Sequence, residues 1–123
     1  MNAGKPILLL SLLFSSPAWC DERVDSIRAA AAEIRAVRDA QGMAAAHEAV
    51  LACYAKKAAY ETCIAQDFIV SNIAAREARD PMGVLDEMAE RITQAMQRSA
   101  VPLADAKEYI LLVKQHGFAA YLQ

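Results

Sequence analysis

Residues 43–81 read MAAAHEAVLACYAKKAAYETCIAQDFIVSNIAAREARDP, and the reading of this stretch decides the fold. From Met43 to Arg79 there is no glycine or proline, so helix propensity alone would carry one long helix. The two cysteines argue against that. In a continuous helix Cys53 and Cys63 would lie about 15 Å apart along the axis, whereas a disulfide needs Cα atoms within about 7 Å. If they pair, the chain folds back, and the natural place is Ala55 to Ala59. A helix then restarts near Tyr60, and Lys56 and Lys57 sit favourably at the carboxyl end of the incoming helix. The expected result is an α-hairpin stapled near its tip. A bridge closing so short a loop contributes roughly 2 to 3 kcal/mol on the chain-entropy model.

Outward from the hairpin the periodicity stays helical: alanine is abundant, and the chain holds 4 glycines and 4 prolines. Upstream, Val24, Ile27, Ala31 and Ile34 form one stripe of a helix from about Glu22 to Ala40, with Arg28, Arg35 and Asp39 away from it and Gly42 ending it. Downstream, Asp80-Pro81 supplies a cap and a first residue for a helix to about Arg98, with Val84, Met88, Ile92 and Met96 inward and Asp86, Glu87, Glu90 and Arg91 elsewhere. A final helix runs from Pro102 to about His116, where the imidazole suits a carboxyl end before Gly117. It is apolar almost all round, which makes it central or an interface for a partner or a second copy. The fold class expected is all-α, a small four- to five-helix bundle.

The amino terminus sets the compartment. Residues 1–20 order as a basic start, the apolar run PILLLSLLF and a short polar segment ending in Cys20, the order of a cleavable signal peptide. The apolar run is about half what a membrane-spanning helix needs, and no later run approaches that length, so no transmembrane anchor is expected in the mature chain. Cleavage after Ala18 or after Cys20 satisfies the small-x-small rule, and cutting after Cys20 leaves an even cysteine pair suited to an oxidising compartment. Trp19 argues against a lipid anchor on Cys20. Losing the signal removes Lys5 from the 13 basic residues, leaving 12 against 15 acids and a net charge of −3 on residues 21–123, one domain's worth of chain. Charges of both signs mixed along the chain argue against nucleic acid as a partner.

Candidate sites are few. Cys53 and Cys63 lack the two-residue spacing of redox motifs, and 2 histidines supply no zinc ligand set, so a structural disulfide is the reading and no metal or cofactor is expected. Asp67 is the least expected residue, because projection of its helix places it among Tyr60, Cys63, Ile64, Ala74 and Ala78, beside Ser71, on a face that should be buried. An ionised carboxylate there needs a partner. His47 lies on the apolar face of its own helix, between Met43, Val50, Leu51 and Tyr54. With the staple setting the register, it falls opposite position 69, within about one turn of Asp67 and Ser71. The expectation is a buried polar cluster of His47, Asp67 and Ser71. The three residue types invite a hydrolase reading, but no glycine-rich turn presents Ser71 and no oxyanion hole is suggested, so the cluster reads as structural.

The segment Thr62–Phe68, with a cysteine ten residues upstream, resembles the cysteine-stapled helical hairpin of exported lysozyme-inhibitor-like proteins. The later cysteines and the polar pattern of that group are missing here, and no residue roles are carried over. The resemblance adds weight to an inhibitor. The leading expectation is thus a non-enzymatic, exported periplasmic protein acting by contact with another protein, as an inhibitor, immunity or accessory factor. Its alternatives are full secretion, a helical stress chaperone, or a small hydrolase built on His47, Asp67 and Ser71.

Overall fold

The structure, a computed structural model, describes residues 18–56, 60–99 and 102–123. Most of the expected signal, residues 1–17, lies outside the described residues, as do the hairpin tip at 57–59 and the junction at 100–101. The order is α1 (Ala18–Gln41), α2 (Met43–Ala55), α3 (Tyr60–Glu77), α4 (Pro81–Arg98), α5 (Leu103–Leu112), a π-helical turn (Val113–Gly117) and α6 (Phe118–Leu122). The chain is an all-α bundle, and no described residue lies in a strand. None of the described helices is long and apolar enough to cross a membrane.

α1 buries Ile27, Ala30, Ala31 and Ile34 at three-four spacing, close to the stripe expected from sequence. It ends at Gly42, whose φ of +96° is open to glycine at little strain. The Gly42 amide donates to the Arg38 carbonyl at 2.8 Å, and its own carbonyl accepts from Ala46, so one residue both closes α1 and starts α2.

The fold-back falls where the cysteines require it. α2 ends at Ala55, α3 restarts at Tyr60, and Cys53 and Cys63 form a disulfide with Cα atoms 5.5 Å apart. α3 is the central helix: every residue from Cys63 to Ser71 is buried, because α1, α2, α4 and the π turn pack around it. Asp80 caps α4 through an acceptor bond from the Gly83 amide at 3.1 Å, with Pro81 at the first position. α4 buries Met88, Ile92 and Ala95, with Val84 and Met96 half-buried beside them.

The carboxyl end departs from expectation. The final helix does not stop at Gly117, and His116 is not a carboxyl-end residue. Gly117 is helical at φ −69°, and α5, the π turn and α6 run on without a break in helical backbone. The glycine is there for packing: a Cβ would stand 3.0 Å from Ile69 Cδ1 and 3.4 Å from Ile27 Cγ2. The segment after it packs back on α1, with Tyr121 1% exposed and the Phe118 ring edge-on to Phe68 at 5.9 Å. Arg35, read from sequence as facing away, donates to the Tyr121 carbonyl and lies with Arg38 over the Tyr121 ring, at 5.6 and 5.9 Å from its centre. Tyr109 and Val113 are buried, whereas Leu111 and Leu122 stay more than half exposed.

Candidate functional site: a buried carboxylate shared by three helices

Asp67 is fully buried, as its place on α3 predicts, and four donors aim at its two oxygens. Oδ1 accepts from the Ser71 hydroxyl at 2.7 Å and from Arg91 Nη2 at 2.9 Å. Oδ2 accepts from the Tyr54 hydroxyl at 2.8 Å and from Arg91 Nε at 2.9 Å. The Ser71 oxygen also accepts from Arg91 Nη2 at 3.2 Å. The guanidinium fork thus makes a two-pronged, charge-assisted contact, the geometry in which an arginine holds a carboxylate best. α2, α3 and α4 each supply a member, so the cluster is a tie between helices as much as a polar site.

The electrostatics follow from burial and from this pairing. Burial pushes the Tyr54 phenol far above its ordinary range, and the adjacent Asp67 carboxylate pushes it further, so Tyr54 stays a neutral donor. Hydrogen bonding to Asp67 holds the Arg91 guanidinium above its ordinary value against the opposing effect of burial. Ser71 is 1% exposed and donates its hydrogen bond to the carboxylate rather than to an imidazole. As a nucleophile it would need a base, a path for substrate and oxyanion donors. The Asp67 carboxylate is already saturated by four donors, and Arg91, with 19% of its side chain exposed, closes the solvent side.

Two of the three expected members, Asp67 and Ser71, are brought together, and His47 is not. Among the described residues no hydrogen bond joins His47 to either; it sits half-buried on α2, two turns before Tyr54 on the same face. Tyr54, one position past the staple and two turns beyond His47, takes the place expected of His47, its phenol meeting the carboxylate. The charge partner is Arg91, which the sequence reading set among the outward residues of α4. Its position, three after Met88 and four before Ala95, is the flank of the buried stripe. A buried acid on α3 calls for a cation, and Arg91 is the one basic residue in α4 before its last turn, so charge balance was the signal that could have found it.

Two surface grooves lie elsewhere. One, of about 490 Å³, runs between α1 and the carboxyl end over Ala29, Ala32 and Ala119, with Arg28 and His116 at its walls. The other, of about 360 Å³, lies beside the disulfide, with Ile34, Val37, Ala49 and Cys53 in its lining between Glu33 and Lys56. Neither contains Asp67, Ser71 or His47. No three His, Cys, Asp or Glu side chains converge as a metal site among the described residues. The chain matches no protein-family model, and neither a curated protein nor a solved structure gives a significant match.

Proposed function

We propose that this is an exported helical protein of the periplasm that acts by binding another protein, as an inhibitor, immunity or accessory factor, and carries out no reaction of its own. The observation that carries this reading is the saturation of the Asp67 cluster. Its acid, hydroxyl, phenol and guanidinium are spent on one another and on joining α2, α3 and α4, which leaves the surface as the functional part. The disulfide between Cys53 and Cys63 supports an oxidising compartment, and the apolar run before residue 18 supports export.

The test is affinity capture from the source cell's envelope extract on the immobilised, oxidised chain Asp21–Gln123, with mass spectrometry of what is retained and a reduced control. One stoichiometric partner, lost on reduction of the disulfide, is the expected result. An empty capture would overturn the proposal, as would hydrolase turnover that vanishes in Ser71→Ala.

A further inference from the structure

α4 is attached differently from the other long helices. It packs extensively against α3 alone, whereas α1 packs on α2, α3, the π turn and α6, and α2 packs on both α1 and α3. Three of its 18 residues are buried, against ten in α3. Its apolar contact is therefore one-sided, Met88, Ile92 and Ala95 with Leu85 and Met96 beside them, and among the described residues its polar attachments are the Arg91 fork on Asp67 and Ser71 and a weak bond from the Asn72 amide to the Met88 sulfur. A helix packed on one side only opens locally at lower free energy than the core it lies on. Met88, Ile92 and Ala95 join the common core from α4, but Ile27, Ile69, Val113, Gly117 and Tyr121 are supplied by α1, α3 and the carboxyl end and meet one another without it.

We propose that α4 is a latch that opens as a unit with Arg91–Asp67 as its catch, and that the α3 face beneath binds a partner's amphipathic helix carrying an arginine. The resident helix shows what this face accepts. Met88, Ile92 and Ala95 define the apolar stripe, and Arg91, one residue before Ile92, defines where a guanidinium must reach Asp67. A carboxylate at the floor rejects helices that put an apolar or acidic side chain at that point, because Asp67 would then be buried without a counter-charge. This deepens the protein-contact reading and rests on it, but fails separately: capture of a partner with α4 never opening would sink the latch alone.

Amide hydrogen exchange on the oxidised protein reads the first half. The amides of α4 are expected to exchange well ahead of those of α3. Ile27→Val, which trims the core far from α4, should speed exchange in α1 and α3 roughly fivefold and leave α4 unchanged. Arg91→Met should speed α4 by about 100-fold or more. Equal acceleration of α4 and α3 by Ile27→Val would mean that α4 opens only with the whole molecule, and the latch is overturned. The second half is read by adding a fluorescent peptide of sequence Pro81–Arg98 to the Arg91→Met protein, whose own catch is gone. Saturable binding is expected, and it should be lost when the peptide carries Arg91→Met. No binding, or equal binding of the two peptides, would refute the site.

Discussion

Arg91→Met keeps an unbranched apolar stem in place of the arginine's methylenes while deleting both prongs of the fork. The Asp67 carboxylate, 0% exposed, keeps Tyr54 and Ser71 as donors but loses its one ion-pair partner among the described residues. Removing one partner from a buried pair costs about 3 to 5 kcal/mol. Arg91 retains 19% exposure and two donors remain on the acid, so the lower end, about 3 kcal/mol, is the expected loss. A chain of this size has a urea m-value of about 1 to 1.5 kcal/mol/M, so the midpoint should fall by roughly 2 to 3 M in far-ultraviolet circular dichroism. Asp67→Leu combined with Arg91→Met removes the uncompensated charge along with its partner and should recover most of the loss. A loss below about 1 kcal/mol in the single variant would refute the argument, and so would a double variant no more stable than the single one.

Three further outcomes follow from the same contacts. The Tyr121 hydroxyl is buried with no hydrogen-bond partner among the described residues, so Tyr121→Phe should be neutral or stabilising by up to about 1 kcal/mol in thermal melts, and a clear loss would point to a bonded hydroxyl. Gly117→Ala brings a methyl to 3.0 Å from Ile69 Cδ1; the overpacking should outweigh the helix-propensity gain of about 1 kcal/mol, leaving a net loss of about 1 to 2 kcal/mol that Ile69→Val relieves. Burial raises the phenols of Tyr54 and Tyr109, whose stabilising contribution is whole below the ordinary tyrosine value of about 10 and is lost as pH rises above it. Absorbance at the tyrosinate band should therefore show these two ionising together with alkaline unfolding; free titration of all four tyrosines in a folded chain would contradict their burial.

Much of the frame was legible because strong local signals carried it. Asp80-Pro81 starts α4, Gly42 separates α1 from α2, and the impossibility of bridging Cys53 to Cys63 along one helix set the fold-back at Ala55 to Tyr60. The site was half legible. A lone acid on an apolar stripe marked Asp67, and Ser71 lies one turn from it, but which partner reaches across depends on helix placement that spacing does not encode. His47 and Tyr54 share a face two turns apart, and the register of α2 against α3 decides which of them meets Asp67, while Arg91 needed the rotation of α4 about its axis. Gly117 misled for a related reason. Glycine before a polar-to-apolar change reads as a stop, and only the approach of Ile27 and Ile69 shows why a side chain is missing there.

The π turn has a consequence for tolerance to length change. Tyr109, Val113, Gly117 and Tyr121 are all buried although they recur at every fourth position, a spacing that overshoots an α-helical turn by about 40° each time. The wider turn at Val113–Gly117 absorbs the overshoot, behaving as one residue more than a plain α-helix requires. Deleting exposed Gln115 would let that turn relax to α-helix with Gly117 still against Ile69 and Tyr121 still beneath Arg35. The same deletion inside α3, where every residue from Cys63 to Ser71 is buried, would swing the following side chains by about 100° and dismantle the core. Among the described helices, 113–117 is therefore an inexpensive address for a change of length.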